Sequence, residues 1–550
     1  VSQPLVSVLI PVFNAVGYLD ECLASVITQT IGFEQLEVVA VDDGSTDGSG
    51  ELLDRWAALH RNVRVVHQPN SGAPGGPRNR AIEIATGEFL FFADPDDYLG
   101  PEALERMMAA ARRDDADIVL GRIKGIGRAA ATGPFAHNVE RGDIHSSNAV
   151  WSLTAHKLFR RSLVTDHGLR FAEGVRLAEE QVFIVPAYFL AKAISVVADY
   201  DCYYLVHRDD RQHLTRQVPD PGPFYGVVRS ALETVVANTE PGPARDSLLR
   251  RWAEVEILNK FRGQYPGWPH DRQHGYARLA ASILTDFIPD EVIAARPPLD
   301  RLRARLVRHG RVDDVVELAR FEYLAPGGGV ELALPPGGQR VSVDVRTGLL
   351  LPDDATMRAW VVLRSEADGT ELAQPSGTLG HGGRVAARSA RAGADTDAVV
   401  GTTIPGGEPL AFRAVFDLPA LGAAGRRPGR WRFLLRLTLA GDEPGDHIQH
   451  VPLRLPGRKV PAAAAARRLR ICRGRVLLVW VACDRNGEAV LEVAGWRAIL
   501  GAARRRIRRA APAGHGADGR WGGMQAAVAN RGVRGRRVTG HSALLYPHGR

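Results

Sequence analysis

A chain of 550 residues, 45% hydrophobic and 24% charged, is too long for one ordinary core and too apolar for a disordered chain, so two to four folded domains are expected. No apolar run reaches the ~18–20 residues that span a bilayer, residues 6–12 are too short for a secretory leader, and four cysteines (22, 202, 472, 483) show no metal-type spacing. A reducing cytoplasm is therefore expected, with at most peripheral association at the inner face of the cell membrane. Of the net charge of +8, residues 461–550 carry eighteen Arg against four acids, which leaves about −6 for the rest, so the basic balance gives no reason to expect a nucleic-acid partner.

In chain order, residues 5–11 read as a buried strand and residues 11–14 (Pro-Val-Phe-Asn) as the turn leaving it. Tyr18, Leu19, Cys22, Leu23, Val26 and Ile27 recur at helical spacing. Residues 36–41 form a second strand ending in Asp42-Asp43-Gly44-Ser45-Thr46-Asp47, then a helix through Leu52, Leu53 and Trp56. A third strand at 63–67 leads to a turn-rich loop at 68–77, and a helix opens at Arg78 and stops at Gly87. After residues 89–92 come a helix at 101–113 and a strand at 117–121. Strand and helix alternate with short links, which implies an α/β fold around a mostly parallel sheet.

Four bulky residues, Phe89-Leu90-Phe91-Phe92, suit a strand covered on both faces, and Pro95 ends it. Asp94, Asp96 and Asp97 then fall at the carboxyl end of a buried strand, where open α/β sheets bind ligands. Asp94 and Asp96 repel unless a cation lies between them, and hard oxygen donors suit Mn²⁺ or Mg²⁺ with phosphate oxygens completing the shell. The bland alternative is an acidic turn. No Gly-x-Gly-x-x-Gly follows the first strand and no Gly-Lys-Ser/Thr occurs, which argues against a dinucleotide site or a P-loop.

Residues 11–14, the Asp42–Asp47 turn, Asn70-Ser71-Gly72, Arg78-Asn79 and Asp94-Pro95-Asp96-Asp97 occur in the order seen in family 2 glycosyltransferases, which this chain resembles over roughly residues 5–210. The resemblance implies a GT-A, Rossmann-like nucleotide-sugar-binding domain and inverting transfer from a UDP-sugar, a hexose or N-acetylhexosamine. It implies that Pro11, Phe13 and Asn14 line the base, that Asp43 accepts from uracil or ribose, and that Asn70 and Arg78 donate to the nucleotide or sugar. Turn caps and a solvated helix-end charge are the bland readings of Asp43 and Arg78. The segment around residues 173–183 is similar to the one where the family carries Glu-Asp before x-x-Phe. Here it reads Glu179-Glu180, so Glu180 is the expected general base, with Glu179 as fallback. The plain alternative is a helix N-terminus rich in acid. Arg208, with His207 or His213 assisting, is expected at the diphosphate.

Residues 221–323 read as a helical linking subdomain after a catalytic domain at 1–220. The breaker Ala325-Pro326-Gly327-Gly328-Gly329 opens short alternating runs, so 324–457 is expected to be β-sandwich-like, able to bind carbohydrate or join copies of the chain. Residues 458–550 are expected to be an Arg-rich tail, partly disordered, although 476–481 and 489–493 have strand character. The acceptor implied is a polysaccharide or teichoic-acid-like polyol polymer. The rivals are a nucleotidyltransferase of similar fold, which residues 11–17 do not suit for want of a Gly-rich basic loop, and a non-catalytic carbohydrate-binding protein.

Overall fold

The computed structural model describes residues 3–207 and 218–323, and beyond them Glu366 and the strands between 330 and 495. Strands β1 (Val6–Val12), β2 (Leu36–Asp42), β3 (Val63–His67) and β4 (Phe89–Phe92) run parallel in the order β3-β2-β1-β4. Helices α1 (Val16–Ile27), α2 (Ser49–Leu59) and α3 (Gly75–Ile84) connect them. Every residue of β1, β2 and β4 is buried, as continuous apolar runs require of strands covered on both faces.

The turn expected at residues 11–14 begins later, because β1 keeps Pro11 and Val12. The Leu9 carbonyl accepts from Ala93 N–H at 3.0 Å, so by alternation the Pro11 nitrogen faces the same side, where β4 has already ended. Its missing N–H therefore breaks no ladder. The third helix also starts earlier than expected, at Gly75 rather than Arg78. A Cβ at Gly75 would lie 2.1 Å from the Ala172 carbonyl oxygen, so only glycine lets α3 come this close to the segment before residue 180.

Past β4 come β5 (Tyr98–Leu99), α4 (Ala103–Asp114), β6 (Ile118–Ile126), β7 (Val139–Gly142), β8 (Leu158–Arg160), α5 (Arg161–Asp166), α6 (Gln181–Leu190) and β9 (Ile194–Val206). They complete a nine-stranded sheet, β3-β2-β1-β4-β8-β6-β9-β5, with β7 also on β9. The sheet is mixed: β8 runs antiparallel between β4 and β6, and β9 is parallel to β6 but antiparallel to β5 and β7. Phe92 packs edge-on against Phe159, Phe171 and Phe183 at 5.9, 5.1 and 5.5 Å between centroids. That cluster joins the end of β4 to β8, α6 and the segment between them, so the two acidic stretches share one rigid support.

Asp220 caps α7 (Pro221–Ala237) by accepting from Gly222 N–H, with Pro221 at the first helical position. Next come α8 (Pro243–Arg251), a π-helical turn (Trp252–Ile257), α9 (His270–Phe287), α10 (Asp290–Ala294), α11 (Pro298–Arg308) and α12 (Val312–Tyr323). Among the described residues no helix is long and apolar enough to cross a membrane.

The remaining strands are β10 (Val330–Ala333), β11 (Arg340–Leu350), β12 (Met357–Ser365), β13 (Glu371–Gln374), β14 (Ser376–Thr378) and β15 (Thr402–Ile404), followed by β16 (Pro409–Asp417), β17 (Gly429–Leu439), β18 (Gln449–Pro452), β19 (Arg468–Cys472), β20 (Arg475–Cys483) and β21 (Ala489–Gly495). They form a four-stranded sheet, β10-β11-β16-β14, and an eight-stranded one built on β13-β12-β17-β21-β20-β19. Strands β19 to β21 fall where the sequence suggested an Arg-rich tail. β21 pairs with β17, so the second sheet runs past residue 457.

Candidate active site

The Asp94 turn leaves β4 and is fixed from β9. Asp94 N–H donates to the Tyr203 hydroxyl at 2.9 Å, and Val206 N–H donates to the Asp97 carboxylate at 2.8 Å. One carboxylate oxygen each of Asp94 and Asp97 and one ring nitrogen of His156 lie within 4.8 Å of one another. The metal pair expected from sequence was Asp94 and Asp96. The cluster the fold draws together is Asp94, Asp97 and His156, with Asp96 half-buried in the same turn.

His156 is buried and stacks on Tyr203 at 4.2 Å. Its Nδ1 lies 3.4 Å from the Phe92 carbonyl, which can only accept, so the proton is assigned to Nδ1. Burial holds its pKa down to about 4, so the ring is neutral and Nε2 turns a lone pair toward Asp94 Oδ2, 3.5 Å away. Two acceptors facing each other are unfavourable unless a cation joins them, and a ring held through Nδ1–H to a carbonyl is the usual posture of a metal-bound histidine. Burial, with Asp94 and Asp96 nearby, pushes the Asp97 carboxyl up to about 8. This turn is short of positive charge, and a divalent cation fits it.

The second acidic stretch meets the first through one side chain. Arg78 is buried, stacks over Phe171 at 5.2 Å, and donates to Glu179 at 2.6 Å and Asp94 at 2.8 Å. Arg78 was expected to be a donor to the nucleotide or sugar, with a solvated charge as the bland reading. In the fold it ties the Asp94 turn to the Glu179-Glu180 pair. Its neighbour Asn79 accepts from Phe171 N–H and donates to the Phe171 carbonyl and Glu173, which clamps the same segment. Burial, and then the Glu179 charge beside it, raises the Glu180 carboxyl well above the usual range. Ala178, just before the pair, is held in the left-handed region at φ 68°.

At the expected nucleoside end, Pro11 lies buried in β1, while Phe13 is 46% exposed. Asn14 sits at φ 48°, and its side chain accepts from Thr46 N–H. The buried Asp43 carboxylate accepts from Gln68 and from the Ser71 backbone and hydroxyl, and so anchors the exposed Asn70 loop over it. Arg208 and His213 lie outside the described residues. Sequence reasoning missed His156, Tyr203 and Asn79. Asn79 enters only as part of the Arg78-Asn79 motif, and no periodic pattern singles out His156 or Tyr203.

Residues 7–171 match the family description "Glycosyl transferase family 2", and residues 221–319 match "Glycosyl transferase TarS linker domain". The poly(ribitol-phosphate) beta-N-acetylglucosaminyltransferase TarP of Staphylococcus aureus is 30% identical over 42% of this chain and 72% of its own length. The chain belongs to glycosyl transferase family 2. Another relative, the poly(ribitol-phosphate) beta-glucosyltransferase of Bacillus spizizenii, is 41% identical over 42% of this chain, but this chain spans only 37% of its length. The crystal structure of S. aureus TarS 1–349 in complex with UDP-GlcNAc superposes with a TM-score of 0.52 at 26% identity, covering 62% of this chain and 97% of that one.

Proposed function

We propose that this chain is an inverting glycosyltransferase that moves a sugar from UDP-GlcNAc or UDP-glucose to a hydroxyl of a poly(ribitol phosphate)-type envelope polymer. The observation that carries the reading is Arg78, one buried guanidinium holding Asp94 of a metal-suited turn and Glu179 of an acid pair at once. The names of the relatives and the UDP-GlcNAc complex of TarS support the donor and acceptor classes.

Asp94, Asp97 and His156 would hold the ion, with Asp96 beside them, and two carboxylates plus an imidazole suit Mn²⁺ better than Mg²⁺. Such an ion supplies charge that offsets what grows on the departing diphosphate. Phe13 offers an open aromatic face for the base, and Asn14, Asp43 and Asn70 line the adjoining turn. Glu180 takes the acceptor's proton as its oxygen bonds to the anomeric carbon. The bond from that carbon to the diphosphate breaks, and UDP leaves with the electron pair. One displacement without a sugar–enzyme bond inverts the anomeric centre.

The test is UDP release from UDP-GlcNAc and UDP-glucose with poly(ribitol phosphate), using chelator-stripped protein with and without added Mn²⁺. Wild type should regain activity with Mn²⁺, while Asp97→Asn and His156→Ala should lose at least about 100-fold and need far more ion. Full activity in stripped protein, or in both variants at low Mn²⁺, would remove the metal from the proposal.

A further inference from the structure

Glu180 is followed by Gln181, a polar side chain only 1% exposed at the first turn of α6. Both ends of its amide are bonded, and both partners come from the π-helical turn of the helical region. Trp252 Nε1–H donates to Gln181 Oε1 at 2.9 Å, and Gln181 Nε2 donates to Glu256 Oε1 at 3.1 Å. Arg251 donates to the same Glu256 oxygen at 2.8 Å. Trp252, Glu256 and Arg251 are themselves buried. A π-helical turn is rare and costs helical regularity, so its use to present these two residues calls for a reason. On the other side of Glu180, Ala178 is held in a conformation that L-residues avoid, which persists only where surroundings impose it.

We propose that Trp252 and Glu256 are positioning residues that act through Gln181 to aim the Glu180 carboxylate at the acceptor hydroxyl. On this view the helical region is part of the catalytic apparatus and not a spacer. The inference rests on the reading of Glu180 as the base. The bonds fix the backbone one residue past Glu180, while Arg78 fixes Glu179 one residue before it. Proton abstraction tolerates little misplacement, and an error near 1 Å costs roughly 100-fold.

The experiment uses the full chain with UDP-GlcNAc, Mn²⁺ and poly(ribitol phosphate). Gln181→Glu keeps the acceptor for Trp252 but sets two carboxylates against each other. It should lower kcat at least about 10-fold with KM for UDP-GlcNAc unchanged. Adding Glu256→Gln exchanges donor and acceptor across the same bond and should restore kcat to within about 3-fold, a rescue that loss of general stability would not show. Trp252→Phe, which removes only one bond and part of a ring, should also lower kcat while calorimetry shows normal UDP-GlcNAc binding. It decides the matter if Gln181→Glu does not fold. Wild-type kcat in these single variants beside an inactive Glu180→Gln would overturn the clamp alone, as would a loss that the double substitution fails to repair. Normal transfer by Glu180→Gln would instead overturn the base on which the clamp depends.

Discussion

Arg78 neutralises one carboxylate in each acidic stretch, Asp94 and Glu179, and among the described contacts no cation is bonded to Glu180. Burial and the Glu179 charge raise its pKa in the folded state. A carboxyl raised in this way favours the fold while protonated. Its contribution is complete below the unfolded-state value near 4.3 and is lost as pH rises through the folded value. As the proposed base it would work only when ionised, so transfer should climb over the same window in which stability falls. Glu180→Gln should therefore abolish transfer and raise the thermal midpoint at neutral pH by roughly 2 °C, with the gain vanishing in acid. Melting curves at three or four pH values check this, and a lower midpoint at neutral pH would contradict it.

At the scale of elements, the approach of α3 to the chain before α6 is what brings Arg78 and Asn79 to the second acidic stretch. Gly75→Ala would push a methyl into the Ala172 carbonyl, a backbone atom that cannot swing aside. A loss of roughly 2–4 kcal/mol in denaturant titration is expected, together with a fall in transfer larger than any fall in UDP-GlcNAc binding. The first four strands were legible because each is a continuous apolar run with a turn signal behind it, and Pro95 marked where the acids emerge. Alternation along so short a turn could not tell Asp96 from Asp97 as the partner of Asp94. His156 is presented beside β8, a strand of three residues with no period to detect. The bonds of Arg78 to Glu179 and of Trp252 to Gln181 cross 101 and 71 residues, beyond any local pattern. In residues 468–495 the Arg content masked β19, whereas the strand character at 476–481 and 489–493 falls on β20 and β21.

Across the whole molecule, every described group assigned to donor, metal, base or clamp lies between Pro11 and Glu256. A chain ended after Tyr323 should bind UDP-GlcNAc within about 3-fold of the full chain by calorimetry and should retain Mn²⁺-dependent UDP release. Complete loss of donor binding in a folded truncated protein would give the C-terminal sheets a role in the site. The long reach of β9 has a further consequence, for the order of events during synthesis. The four N-terminal strands can pair as soon as residue 92 has left the ribosome. The carboxylate turn beside them takes its shape only from Tyr203 and Val206, each 109 residues beyond its partner. Such distant closures come late in folding. Until β9 docks, the nascent chain has a nearly complete half-sheet with the residues proposed to line the base, but not the carboxylate turn proposed to hold the ion at the diphosphate, so an unfinished polypeptide should not consume activated sugar.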